Sequence, residues 1–158
     1  MPSTSLSPEL RDKILAILAR HNNMTIATLR PDGYPQATTV AYANDGLAIY
    51  FGCGAQSQKA QNIARDARVS AAIDIDHTNW NEIEGVSLGG TAARVTDPAE
   101  LDRVAKLFRA KFPQMGAFGE EDDSFDMTLY RVTPNVISVL DYTKGFGHTD
   151  LVTLDAAA

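Results

Sequence analysis

Cysteine is all but missing from this chain, with Cys53 the single example among 158 residues. A lone thiol forms no intrachain disulfide, supplies no cysteine-based zinc site, and suits a reducing compartment. Histidine is scarce as well: His21, His77 and His148 show no metal-ligand spacing. Positive charge is in deficit, 14 Lys and Arg against 20 Asp and Glu, giving a formal net charge of -6. That balance argues against a general nucleic-acid or anionic-membrane binder and leaves room for a local basic pocket that takes a small charged ligand. No apolar run approaches the roughly 20 residues that a membrane-spanning helix needs. The short run Ile14–Leu18 interrupts an amphipathic pattern and does not read as a signal peptide. A soluble, cytoplasmic protein is expected. Repeats, low-complexity linkers and a second composition regime are lacking too, so residues 1–142 read as one domain and 143–158 as a tail. A domain of this length buries roughly 68–70% of its unfolded surface around one core.

What the chain does contain is turn chemistry between short apolar runs. Ser7 suits a helix cap with Pro8 at the first helical position, and Leu10, Ile14, Ile17 and Leu18 mark one face to about Arg20. Met24–Leu29 and Gln36–Val40 flank Arg30-Pro31-Asp32-Gly33-Tyr34-Pro35 as a hairpin, and the turn Asn44-Asp45-Gly46 adds a third strand, Leu47–Phe51. A glycine-rich bend, Gly52–Gln56, then leads to a short helix from Ser57 and a strand over Val69–Ile75. The long strand Ile83–Val95 is interrupted by Gly89-Gly90, which predicts a bulge where a sheet curls. Asp97-Pro98-Ala99-Glu100 is a strong helix start, followed by the stripe Leu101, Val104, Ala105, Phe108 and Phe112. An acidic, solvated loop over 113–126 precedes two final strands, Met127–Val132 and Val136–Tyr142, around Thr133-Pro134-Asn135. Residues 1–6 and Ala156–Ala158 read as frayed ends. The pattern is mainly β: six or seven antiparallel strands closing or half-closing into a barrel, with flanking helices over its ends.

The chemistry concentrates where the third strand meets the short helix. Ser57 is a candidate N-cap, and Ala60, Ile63, Ala64 and Ala67 follow at helical spacing. Lys59 stands in the first turn, where unsatisfied N–H groups already carry partial positive charge, so a cation there is disfavoured unless an anion joins it. A hydroxyl, a lysine and approachable backbone at a helix start are the parts of a phosphate site. A plain cap with a solvated lysine is equally open from these residues alone. Ala60 stands where a reciprocal capping box would need Glu or Gln, which tips the balance slightly toward a ligand. Gly52-x-Gly54-x-x-Ser57, with Asp74 further on, imitates a dinucleotide fingerprint. The third glycine is serine, however, and the strand belongs to a meander rather than a parallel βαβ unit.

The ordered set Ala41–Phe51, Ser57-x-Lys59-x-x-Asn62-Ile63, Ala67-Arg68-Val69-Ser70, Glu84-Gly85-Val86 and Arg131-Val132-Thr133-Pro134-x-x-Ile137 resembles the pyridoxamine 5'-phosphate oxidase-like split-barrel flavoproteins over about residues 10–142. The resemblance implies a split barrel and a homodimer with FMN held at the subunit interface. In this pattern Ala37, Thr38, Thr39 and Val40 lie along the flavin ring through their backbone, Tyr50 and Phe51 stand nearby, and Ser57, Gln58 and Lys59 hold the phosphate. Trp80 falls where the family often places a flavin-contacting residue of the partner subunit, although a lone Trp is more commonly a core or interface aromatic. The activity implied is an FMN-dependent oxidoreductase passing electrons from a reduced nicotinamide to a small-molecule substrate. Alternatives are a non-catalytic flavin- or haem-binding protein and a deazaflavin-dependent reductase. Two departures thin the anion site: Gln58 replaces a basic residue and Val40 a second lysine. Each absent charge-assisted bond removes about 1.5–3 kcal/mol unless Arg65, Arg68 or another cation compensates. No counterpart of the family's substrate-binding Arg and His follows Tyr142, so vitamin B6 oxidase activity is not expected. His148 is a candidate lid over the cleft, His21 and His77 read as surface residues, and Cys53 reads as a small buried residue.

Overall fold

Ser7 begins the first helix as its chemistry requires, accepting the Leu10 N–H at 3.2 Å, with Pro8 at the first helical position. The computed structural model describes residues 5–118 and 126–155; the acidic run Glu120–Asp123 and the terminal Ala156–Ala158 lie outside the described residues. Helix α1 (Pro8–Arg20) buries Ile14, Ile17 and Leu18, one face at helical spacing. It is followed by β1 (Asn23–Leu29), β2 (Pro35–Ala41), β3 (Ala43–Asp45), β4 (Ala48–Gly54), α2 (Gln58–Arg65), β5 (Arg68–Asp74), β6 (Glu84–Arg94), α3 (Pro98–Lys111), β7 (Met127–Asp141) and β8 (Thr149–Thr153).

Every described pairing is antiparallel, in the order β2-β1-β5-β6-β7-β4-β3, with β8 added to β7. Strict alternation sets the inner face. On β5, Val69, Ala71 and Ile73 point into the core while Arg68, Ser70, Ala72 and Asp74 stay exposed. The strands at the two ends of the order, β2 and β3, are separated in the chain only by Tyr42, so the sheet curls back on itself as a half-barrel. Tyr42 is fully buried at that corner. Its hydroxyl donates to the Leu18 carbonyl at 2.7 Å, and its N–H donates to the Asn22 carbonyl at 3.2 Å.

The mainly β split-barrel expectation holds, and the strand list changes in three places. Met127–Asp141 is one 15-residue strand rather than two. Its first part pairs with β4 and its last part with β8, while β6 runs along its other edge. The proline expected to turn the chain is absorbed by a bulge: Gly89 pairs with Val136 and Gly90 with Pro134, which leaves Asn135 as the extra residue. The expected glycine signal is real here, because a Cβ on Gly90 would lie 2.2 Å from the Thr133 carbonyl oxygen. Second, Asn44 and Asp45 belong to the short β3, and the turn falls at Gly46 (φ 56) and Leu47. Third, the segment after Tyr142 is not all tail, since β8 within it pairs with β7. Among the described residues, no helix is long and apolar enough to cross a membrane.

Candidate functional site

The expected phosphate corner keeps its helix and loses its glycine loop. Gly52 and Gly54 are strand residues, paired with Leu129 and Met127 of β7, so their backbone serves the sheet. The bend is confined to the residues just after Gly54, where Ser57 donates its N–H to the Gly54 carbonyl at 2.9 Å. Ser57 is the N-cap of α2, and its hydroxyl accepts the Ala60 N–H at 3.3 Å. This leaves the N–H groups of Gln58 and Lys59 without a partner among the described residues, at the positive end of the helix. The Lys59 side chain is half-buried and makes no hydrogen bond or ion pair with any described residue. The two arginines that could have reinforced it are committed elsewhere. Arg65 donates to the Leu29 and Arg30 carbonyls at 2.8 and 2.6 Å, and Arg68 pairs with Asp66 at 2.7 Å. That pair and the Arg68 N–H hold the Asp66 carboxyl down at about 2.

A residue from the family-like motif, not counted among the site candidates, ties this corner to the next. Asn62 is buried on α2; its Nδ2 donates to Thr28 Oγ1 at 3.0 Å and to Gln36 Oε1 at 3.3 Å, and its Oδ1 accepts from Gln58 Nε2 at 2.8 Å. Gln58 is thereby turned along the helix, and the first turn of α2 is fastened to β2 just ahead of Ala37–Val40. A polar residue inside a short helix reads as solvated from sequence, and only its burial exposes its role. On β2, Ala37 and Thr39 point outward, and Thr38 and Val40 are half-buried. The Thr38 hydroxyl is buried with no partner among the described residues. As an end strand, β2 leaves its edge away from β1 without a described strand partner, so backbone N–H and C=O groups there are open to a ligand.

Beside that edge runs a groove of about 750 Å³. Thr39, Val40 and Ala41 form one side, Gly52 lies on its floor, and Phe108, Phe112 and Met115 form the facing wall with Met127 and Leu129. Gly52 keeps the floor low, since a Cβ there would come within 2.8 Å of Met127 Cε. The lining is apolar apart from Thr39, Asn22, Asn23 and Gln114, and no charged residue is among the described residues that line it. A flat, largely uncharged ring system suits such a surface, and a single anionic group suits the start of α2.

Other candidates are placed differently. Phe51 is fully buried inside the barrel, stacked on Tyr130 with centroids 5.4 Å apart. Tyr50 faces the other way, beneath α3, where its hydroxyl donates to Glu100 Oε1 at 2.9 Å and Arg131 Nη1 donates to the same oxygen at 2.6 Å. The Arg131 bond, with the Tyr50 hydroxyl assisting, holds the Glu100 carboxyl below its ordinary range. Trp80 is exposed and stacks on Phe146 at 6.3 Å. It follows the far end of the seven-residue β5, about 20 Å along the strand from the end near α2, so one protomer does not bring Trp80 and Lys59 together. His148 is held by Asp150 at 3.1 Å rather than free to swing. Cys53 is buried, as read from the sequence. His21 and His77 are not plain surface residues: both ring nitrogens of His21 and Nε2 of His77 are buried without a partner among the described residues. Burial first, and then the charge of Arg20, lower the pKa of His21.

Comparison with known proteins bears on this arrangement. The sequence profile of the pyridoxamine 5'-phosphate oxidase family matches residues 10–141. General stress protein 26 of Bacillus subtilis is 23% identical over 133 residues, covering 84% of this chain and 89% of that protein. A haem-binding protein from Mycobacterium smegmatis superposes with a TM-score of 0.76 at 23% identity, over 94% of this chain and 59% of the other. A conserved hypothetical protein from Mycobacterium tuberculosis superposes with a TM-score of 0.74 at 25% identity, over 100% of this chain and 98% of the other.

Proposed function

The chain belongs to the pyridoxamine 5'-phosphate oxidase family, and from that premise we propose that it is an FMN-dependent oxidoreductase working between a reduced nicotinamide and a small acceptor. One observation carries the reading: Lys59, a cation in the first turn of a capped helix, has no partner among the described residues and stands beside two open N–H groups. Ser57, the Gln58 and Lys59 backbone and the Lys59 ammonium would bind the phosphate. The open edge of β2, from Ala37 to Val40, would orient the ring, with the unpartnered Thr38 hydroxyl as a further polar contact. Phe108 and Phe112 would keep water from the groove. When bound, the flavin supplies the exchange of hydride or electrons, while the protein sets its orientation and surroundings.

In this proposal the working unit is a homodimer, because Trp80 reaches the cofactor only from a second copy. A monomeric mass in sedimentation would count against that arrangement. The haem-binding relative favours a second reading, haem in the same groove. Among the described residues, however, the groove has no imidazole, and its only soft donors are the thioethers of Met115 and Met127. A deazaflavin would use the same phosphate corner and ring groove.

The test begins with the purified protein, whose absorbance near ~450 nm or near ~400 nm separates flavin from haem. Rapid bleaching of bound flavin by NADH or NADPH supports the enzyme, and flavin that stays oxidised with both donors argues for a carrier. Lys59→Ala weakens FMN binding at least roughly tenfold, since one charged hydrogen bond to phosphate is lost. An unchanged affinity in a titration removes the phosphate site and the function built on it.

A further inference from the structure

The groove beside β2 carries hydrogen-bond donors on both walls and, among the described residues, charge on neither. Asn23 pairs with Ala41 across β1 and β2, so Asn22 and Asn23 stand on the Thr39–Ala41 side. Gln114 lies between Phe112 and Met115 in sequence, on the facing wall. These three carboxamide side chains make no hydrogen bond with a described residue, so their N–H and C=O groups are open to a ligand. Between them the surface is made of rings, thioethers and aliphatic carbon.

Lys111, next to Phe112 in sequence, brings no charge to this surface. Its Nζ donates to the Leu18 carbonyl at 3.2 Å and lies 3.7 Å from the centroid of the fully buried Tyr42 ring, and the residue does not line the groove. An anion entering here would give up water without gaining a counter-ion, whereas an uncharged ring gives up little. The groove's volume of about 750 Å³ lies in the upper part of the roughly 300–1,000 Å³ range of drug-sized ligand sites, so a second flat ring has room against the first.

We propose that the acceptor reduced in this groove is an uncharged para-quinone of naphthoquinone size, one carbonyl oxygen held by the Asn22–Asn23 pair and the opposite one by Gln114. Donors on facing walls with an apolar middle match a molecule that has acceptors at its two ends and a ring between them. Phe112 and Met127 meet that ring. The electron source rests on the function proposed above; the ligand class rests on the groove alone. In the net reaction the dihydronicotinamide gives a hydride and is left as the pyridinium, and water gives a proton and is left as hydroxide. The quinone takes these two electrons and two protons, so both C=O groups become C–OH. A carboxamide accepts through its C=O as well as donating through its N–H, so the same residues hold the hydroxyls of the product.

The full chain, labelled at its methionine methyl groups, is titrated with 2,3-dimethyl-1,4-naphthoquinone, whose ring offers no open position to a thiol. The ε-methyl signals of Met115 and Met127 are followed by NMR, with Met24 of the buried core as the control. Both groove methyls are expected to shift while Met24 stays. The quinone is expected to bind at least about tenfold more tightly than 2-methyl-1,4-naphthoquinone-3-sulfonate, which keeps the ring and adds a charge, and than 2,3-dimethylnaphthalene, which lacks the carbonyls. Gln114→Leu should close most of the gap to the naphthalene, and Met127→Lys, read at Met115, should close or reverse the gap to the sulfonate. A sulfonate or naphthalene that binds as tightly as the quinone, a shift at Met24 in place of the groove methyls, or unchanged quinone affinity in Gln114→Leu overturns the proposal. So does loss of the quinone at saturating FMN, since acceptor and electron source would then compete for one seat. A chain that takes up no FMN removes the electron source and with it the reduction, while the first titration still decides what the groove binds.

Discussion

Asn62→Ala tests whether the phosphate corner is held in place by its polar network or only by packing. Asn62 is 1% exposed and takes part in three hydrogen bonds, to Thr28, Gln36 and Gln58. Gln36 and Gln58 can turn to water when it is removed, and each such loss costs about 1 kcal/mol or less. Thr28 is 2% exposed and cannot. A buried hydroxyl left without its partner costs about 1–3 kcal/mol, so the whole change comes to about 2–4 kcal/mol. For a domain of this size each kcal/mol shifts the melting temperature by about 2–4 °C, which gives a fall of about 5–15 °C by calorimetry. The same variant should bind FMN several-fold more weakly, although Asn62 is not a proposed cofactor contact, because the first turn of α2 is no longer fastened to β2. A fall of under about 2 °C would refute the reasoning and assign the seating of the helix to the packing of Ala60 and Ile63 and the Arg65 bonds to the Leu29 and Arg30 carbonyls.

Gly90→Ala should destabilise the protein by about 3 kcal/mol, because its Cβ would meet the Thr133 oxygen at 2.2 Å and Pro134 Cα at 2.8 Å, both backbone atoms that cannot rotate away. An unchanged urea midpoint would show that the bulge does not require glycine. Acid sensitivity should trace to His21, whose folded-state pKa lies below the ordinary 6.5 through burial and then Arg20, against the opposing pull of Glu84 and Asp74. The unfolded chain takes up that proton more readily, so stability is complete above that value and falls as pH drops below it. Replacing His21 by Phe should flatten the fall in thermal melts below about pH 6.5, and an identical profile would assign it to other groups.

Much of the fold was legible because its signals are local. Ser7, Ser57 and Asp97 each cap a helix through the N–H three residues on, and the two prolines after Ser7 and Asp97 fix the starts of α1 and α3. Gly89-Gly90 marked the bulge for the same reason. What escaped depends on chain distant in sequence. Gly52 and Gly54 look like a loop until Met127–Leu129 pairs with them, and Pro134 looks like a turn until Gly90 makes room opposite it. The burial of Asn62 and His21 is likewise decided by β1, β2 and the strands beyond, not by their neighbours in sequence. Within the candidate site, Lys59 and the β2 run stand out from sequence, while the opposite facings of Tyr50 and Phe51 follow from the pleat once β4 is placed.

The strand β7 serves β6 along one edge and both β4 and β8 along the other. During synthesis, then, the hairpin of β1 and β2 and the pairing of β5 with β6 can form while the chain is still emerging, but no strand pairing joins those pieces to β4 until residues 127–141 have left the ribosome. The sheet is completed late, and until that moment the apolar faces of its earlier strands lack their full cover.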